Sequence, residues 1–148
     1  MEPLEGQVHE TEFYVVKLRD EGIVWMERTP APYPTLEDVA RGYDEAFALI
    51  DPWRKRLRKA NRDFRFGIVY DVRNAAPART DKGFEKVHAD YRPKIFARTP
   101  ALAVLVNTMT GMKQMDRLGH EDGSRFFATD DPHDAVRYVF ETLEKHRW

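Results

Sequence analysis

Phe64-Arg65-Phe66-Gly67-Ile68-Val69-Tyr70-Asp71, followed by Val72-Arg73-Asn74-Ala75-Ala76-Pro77-Ala78-Arg79-Thr80-Asp81, is the stretch that decides the fold. Its first half reads as a buried strand, and its second half as a long polar loop leading to a helix start. In an open α/β sheet, ligands and partners meet the protein just beyond the carboxyl ends of the parallel strands, so this loop is the default site.

Upstream, Phe13-Tyr14-Val15-Val16-Lys17-Leu18 and Ile23-Val24-Trp25-Met26-Glu27-Arg28 flank the short Gly-containing turn Arg19-Asp20-Glu21-Gly22 and predict an antiparallel hairpin. Three prolines at alternate positions in Thr29-Pro30-Ala31-Pro32-Tyr33-Pro34 fix φ and remove donors, which favours a stiff extended connector. Thr35 then caps a first helix with Asp38 three residues on, and Leu36, Val39, Ala40, Tyr43, Ala46, Phe47 and Ile50 recur at helical spacing. At Asp51-Pro52 the helix is expected to break or kink, with a second piece running through Trp53 and Leu57 to Ala60.

Downstream, Thr80-Asp81-Lys82-Gly83 open a second helix with Phe84, Val87, His88, Tyr91 and Ile95 along one side, which Pro93 kinks or shortens. The continuous apolar run 101–106 is the pattern of a parallel strand covered on both faces. A third helix is capped by Thr110, carries Met112, Met115 and Leu118 on one face, and ends at Gly119. A short strand over 124–128 follows. Asp131 as N-cap and Pro132 at the first helical position start a last helix that buries Ala135, Val136, Val139, Phe140 and Leu143.

The expected fold class is therefore α/β: a single domain with a mixed, mostly parallel five-stranded sheet, element order ββαβαβαβα, and helices packed on the sheet. Residues 1–10 form a loose arm and residues 11–148 the domain.

A chain of 148 residues suffices to bury one continuous core. The absence of cysteine excludes disulfides, thiolate metal sites and a cysteine nucleophile, and with no signal peptide or apolar run near the ~20 residues of a membrane span it implies a cytoplasmic protein. With 24 Lys plus Arg against 25 Asp plus Glu, the charge balance lacks the basic excess of a nucleic-acid binder.

Catalytic and ligand motifs are sparse. None of the five histidines pairs at metal-ligand spacing, and His120-Glu121-Asp122 reads as a solvated loop. Ser124, the only serine, precedes a strand without a G-x-S-x-G turn, and no phosphate-binding glycine pattern occurs. No paired acid or base constellation is visible, so no catalytic residue, metal or cofactor is assigned. Asp20, Glu21, Asp71 and Thr108 invite comparison with a phosphoacceptor receiver domain, but the hairpin leaves no room for the helix such a domain needs between its first two strands. Arg54, Lys55, Arg56, Arg58, Lys59, Arg62 and Arg65 crowd around a helix end; the functional reading is a grip on phosphate, acidic lipid or an acidic partner, and the simpler one a solvated face matching the helix dipole.

The central strand ending in Asp71, the strand order, and especially Phe126-Phe127-Ala128-Thr129-Asp130-Asp131-Pro132-His133-Asp134-Ala135-Val136 resemble the STAS/SpoIIAA-like superfamily over residues 11–145. The resemblance implies a STAS-like fold and a non-catalytic regulatory or protein-interaction module acting through the loop 73–83 and the start of the second helix. In anti-sigma-factor antagonists of this superfamily, a serine in an Asp-Ser-Ser-Gly motif at that helix start is phosphorylated by a partner kinase. The matching stretch here is Arg79-Thr80-Asp81-Lys82-Gly83, where Thr80 is the only hydroxyl and Asp81 stands near the switchable serine. The switch is then absent, moved to Thr80 or locked by a carboxylate; the simpler reading makes Thr80 or Asp81 the helix N-cap.

The resemblance thus implies Asp71, Arg73, Asn74, Arg79, Thr80, Asp81, Lys82 and Gly83 as partner-binding or regulatory residues, with a regulator or kinase as protein partner. Nucleic acid and a membrane span are not expected. A homodimer through the open edge of the hairpin is compatible with the pattern, with Lys17 and Glu27 blunting that edge. The alternative is a small-ligand domain of the same fold, binding lipid or nucleotide between helix and sheet, with Met109, Met112, Met115, Phe84 and Tyr91 as lining.

Overall fold

The computed structural model describes residues 7–76, 82–107 and 126–146. In chain order the elements are β1 (Gln7–Glu10), β2 (Tyr14–Arg19), β3 (Ile23–Arg28), α1 (Leu36–Ala60), β4 (Gly67–Asp71), α2 (Lys82–Phe96), β5 (Leu102–Leu105), β6 (Phe127–Thr129) and α3 (Pro132–Lys145). The strands form one sheet in the order β1-β2-β3-β4-β5-β6. β1, β2 and β3 pair antiparallel, and β3 through β6 pair parallel.

The β2–β3 hairpin forms where the sequence places it, with Arg19 opposite Ile23 across the turn. Gly22 makes that turn possible: its φ is +109°, and a Cβ there would stand 2.8 Å from the Arg65 carbonyl oxygen. The same glycine's carbonyl accepts the Gly67 N–H at 2.9 Å, which ties the hairpin turn to the start of β4.

The sheet has six strands rather than five, because part of the stretch expected as a loose arm is β1, paired with β2 from Gln7↔Leu18 to Glu10↔Val15. Gln-Val-His-Glu offers one apolar residue, Val8, which is 57% exposed, so no burial pattern marks the strand. Its stabilisation is the backbone ladder along β2. That ladder also occupies the hairpin edge on which the homodimer expectation rested.

α1 begins with the expected capping box, Thr35 Oγ1 accepting from Asp38 N and the Asp38 carboxylate from Thr35 N. Val39, Tyr43, Ala46, Phe47, Ile50 and Trp53 are its buried stripe. The break expected at Pro52 does not occur, and α1 is continuous for 25 residues. Pro52 cannot donate to the Ala48 carbonyl, but both residues face water, which satisfies the freed oxygen, while Ile50 and Trp53 anchor the helix on either side. Burial of each such large side chain is worth about 1.5–3 kcal/mol, enough to hold the helix against the proline.

Because each crossover moves one strand along in the same direction, α1 and α2 lie on one sheet face. They cover Tyr14, Val16, Val24, Met26, Ile68, Tyr70, Leu102 and Val104. α2 carries Pro93 three residues before its end, buries Phe84, Tyr91, Arg92 and Ile95, and leaves Val87 partly buried. α3 starts on Asp131 with Pro132 as expected and closes the opposite face over Ile23, Val69, Ala101, Ala103 and Leu105. Its buried residues are Ala135, Val139 and Leu143; Val136 is partly buried, and Phe140, expected in the core, is 41% exposed because α3 sinks only a narrow stripe into the sheet. The third expected helix, Thr110 to Gly119, lies outside the described residues, as do Ser124 and Arg125. Among the described residues no helix is long and apolar enough to cross a membrane.

The α3 layer approaches the sheet at Gly67, where a Cβ would meet Val139 Cγ1 at 2.2 Å and the Ala101 Cβ at 3.0 Å. Gly67→Ala is expected to destabilise by about 3 kcal/mol through overpacking. Adding Val139→Ala should make the double variant more stable than the sum of the single effects by about 1 kcal/mol. Urea denaturation of the four proteins checks this; strict additivity would show that the contact does not set the α3 position.

Candidate functional site

The loop singled out in the sequence begins at Asp71, the last residue of β4. Its carboxylate is 1% exposed although its neighbours in the loop are not. Oδ1 accepts from the Arg73 backbone N–H at 3.1 Å and from Arg73 Nε at 3.0 Å; Oδ2 accepts from Arg73 Nη2 at 2.9 Å and from Trp25 Nε1 at 3.1 Å. Burial pushes the Asp71 carboxyl up, and the hydrogen bonds from Arg73 and Trp25 with the Arg73 charge outweigh it, holding its pKa below the ordinary carboxylate value. Arg73 is raised in turn, chiefly by its hydrogen bond to Asp71. The carboxylate is thus occupied as a clamp on the loop and not poised as a general base.

Beyond the clamp the chain turns, with Ala75 N–H donating to Val72 O at 3.2 Å. Asn107 Nδ2 donates to Arg73 O at 2.9 Å, which joins the segments that leave β4 and β5. Asn74 is exposed at this turn. Lys82 and Gly83 are the first residues of α2, Lys82 exposed and Gly83 partly buried. Arg79, Thr80 and Asp81 lie outside the described residues, so the structure brings together Asp71 and Arg73 and positions Asn74, Lys82 and Gly83 around the same end of the sheet.

On the α1–α2 face, at this same end, stands a cluster that sequence spacing did not reveal. Tyr14 and Tyr70 share a hydroxyl hydrogen bond of 2.7 Å, Tyr33 Oη donates to Tyr14 Oη at 3.1 Å, and Tyr43 Oη and His88 Nδ1 share one of 2.7 Å. The ring of Tyr43 stacks on Tyr91 with centroids 4.8 Å apart, and Tyr91 Oη donates to Asp44 at 2.9 Å. These residues come from β2, the proline connector, α1, β4 and α2, so their separations in the chain, such as 56 residues for Tyr14 and Tyr70, carry no local signal. Burial, and then the proximity of Tyr70 and the other phenols, raises the pKa of Tyr14, Tyr33 and Tyr43. They are hydrogen-bonding hydroxyls and not phenolate bases at neutral pH.

Arg28, 4% exposed, runs through this cluster. It donates to Phe13 O at 2.6 Å and Ala31 O at 2.9 Å, with its guanidinium 4.1 Å above the Tyr33 ring. It fastens the proline connector to the start of β2. His88, which the sequence places on one side of the second helix with Phe84 and Tyr91, is packed and hydrogen-bonded there, and burial with the nearby Arg92 and Arg28 charges lowers its pKa to about 4.

The remaining sequence candidates separate. Asp20, the first residue past β2, donates nothing to this end: it accepts from Trp53 Nε1 at 3.1 Å beside the start of β3, whereas Asp71 follows the far end of β4, and Ile23 pairs with Gly67 while Glu27 pairs with Asp71. The acidic cluster of a receiver domain is therefore not assembled. Phe84 and Tyr91 are core residues, 6% and 8% exposed; Met109, Met112, Met115 and His120-Glu121-Asp122 lie outside the described residues. Among the described residues no group of three or more His, Asp or Glu has the arrangement to hold a metal ion. Comparison of the chain with protein-family models, curated proteins and solved structures finds no match.

Two measurements test this electrostatic account. Asp71→Asn should cost about 2 kcal/mol at pH 7, since it removes the charge that Arg73 and Trp25 were built around. Because the folded pKa is depressed, that contribution is present above the unfolded value of about 3.9 and is lost as pH falls through the folded value, so parent and variant should converge in strong acid. Equal stabilities at pH 7 would mean that the clamp holds nothing. For His88 the folded pKa is also below the unfolded value of about 6.5, so the parent loses stability as pH falls from there toward 4, with a slope approaching about 1.4 kcal/mol per pH unit. His88→Gln should remove that slope in urea titrations at pH 7.5, 6 and 5.

Proposed function

We propose that this chain is a cytoplasmic, non-catalytic STAS-like regulatory or protein-interaction module whose protein partner meets the loop 73–83 and the start of α2. The observation that carries this reading is the Asp71 clamp. Four hydrogen bonds to one buried carboxylate are spent on fixing how the chain leaves β4, and Asn107 braces the same segment from β5. The effect is a loop of fixed exit geometry at the carboxyl ends of the parallel strands, with Asn74 and Lys82 turned to solvent. Fixing where the chain leaves the strand lowers the ordering cost of binding at its start, which is of use to a docking module. The buried hydroxyl cluster beneath it keeps α1, α2 and the sheet in register.

The test uses Asn74→Ala combined with Lys82→Ala, two exposed positions outside the clamp, so circular dichroism and melting temperature should match the parent. With both proteins immobilised in lysate of the native cell, quantitative mass spectrometry should find a protein retained by the parent and depleted on the variant. Once purified, that partner should bind the variant at least about tenfold more weakly, the scale of one lost charge-assisted contact. Equal retention of every captured protein by a folded variant sinks the proposed surface.

A further inference from the structure

A crossover helix runs antiparallel to its strands, so α1 and α2 end where β4 and β5 begin, at the opposite end of the sheet from Asp71. Between those two helix ends lies a groove of about 850 Å³. Arg54, Lys55, Arg58, Lys59 and Arg62 line one side, and Arg98, just past α2, lines the other. The single acid among the described lining residues, Asp51, accepts from Arg98 Nε and Nη2 at 2.8 Å each. Arg98 Nη1 donates to Lys94 O at 2.8 Å, and its guanidinium lies 3.9 Å from the Phe47 ring centroid. Arg98 is thereby held flat with one N–H on each terminal nitrogen left over. Among the described residues, none of the salt bridges reaches Arg54, Lys55, Arg58, Lys59 or Arg62.

The helix dipole accounts for only part of this. Its attraction for cations is confined to the last turn, where Arg58 and Lys59 stand; Arg54 and Lys55 are a turn earlier, and Arg62 and Arg98 lie off the helix. Crowding them has a cost: burial and then the Arg58 charge depress Arg54, Arg98 adds to this, and Asp51 only partly opposes it. An anion seated in the groove removes that repulsion.

We infer that this groove binds a compact polyphosphate anion, gripped by the paired rows of arginine and lysine on α1 and by the fixed guanidinium of Arg98. The stretch from Arg54 to Lys59 covers roughly 8 Å of helix axis, a reach suited to a short phosphate chain. Arginine's planar fork matches phosphate oxygens, and lysine supplies point charge between them. Among the described residues no aromatic side chain lines the groove, which gives no platform for stacking a base, and the one apolar residue among them, Ala97, offers nothing to insert into a bilayer. The ligand is read by its charge and spacing.

Isothermal titration calorimetry of the full chain with inorganic tripolyphosphate tests this. Saturable binding at low salt is expected, weakening steeply as salt rises through about 0.15 M, and a nucleoside triphosphate should bind within about threefold of tripolyphosphate because nothing reads the base. Arg58→Glu with Lys59→Glu should lose about tenfold or more, and Arg58→Gln with Lys59→Gln, milder at the helix end, should lose in the same direction. Arg56→Glu, a single charge reversal on the same helix outside the groove, should stay within about twofold, whereas Arg58→Glu alone, the matching single reversal inside it, should lose more. The inference is overturned by absence of saturable tripolyphosphate binding, by an Arg56→Glu loss equal to that of Arg58→Glu alone, by a nucleoside triphosphate binding far more tightly than tripolyphosphate, or by binding seen only with anionic lipid vesicles.

Discussion

Where β4 begins, its backbone lies so near α3 that a single Cβ on Gly67 would stand 2.2 Å from Val139. That close contact sets the thickness of one layer of the molecule, and the strand's alternation then sets the other. Val69 faces α3 with Ala101, Ala103 and Leu105, while Ile68 and Tyr70 face α1 and α2. Gly67, Ala101 and Ala103 on the α3 side let a helix with only Ala135, Val139 and Leu143 buried close the sheet. On the other side large aromatics fill the space between a 25-residue helix and the strands. One five-residue strand therefore fixes both cores.

The same topology separates charge along the molecule. Helices that return antiparallel to the strands bring their carboxyl ends to the strand starts, and with them the cations of α1 and Arg98. The strand ends instead carry the Asp71 clamp and, on the other face, the tyrosine hydroxyls with His88. In that interior, phenols pushed above their ordinary pKa and an imidazole pushed below it are all neutral, which is how so many polar groups share a small volume without an uncompensated charge. Two arginines, Arg28 and Arg92, are buried there as well, and carbonyl oxygens and ring faces surround Arg28.

Much of this was legible locally. Thr35 with Asp38, and Asp131 with Pro132, mark helix starts because capping is a contact between residues two or three apart. The apolar runs at β4 and β5 show because burial on both faces demands apolar side chains at every position. Other features were not legible. β1 is held by backbone pairing that leaves no trace in Gln-Val-His-Glu, and Pro52 sits inside α1 because packing on both sides outweighs its local penalty. Of the loop residues, Asp71 was legible as the end of a buried strand, but the hydrogen bond it accepts from Trp25, 46 residues away, was not.

By itself, then, the amino-acid sequence determined the α/β class, the hairpin, the helix caps and the end of the sheet where the Asp71 loop emerges, since each depends on contacts within a few residues or on the periodicity of burial. Only the tertiary structure decided that the Asp71 carboxylate is a clamp, that five tyrosines and a histidine gather under the helices, and that a run of basic residues on α1 faces Arg98 across a groove. Those outcomes depend on which distant segments the sheet order places side by side, and desolvation and charge there act through space rather than along the chain.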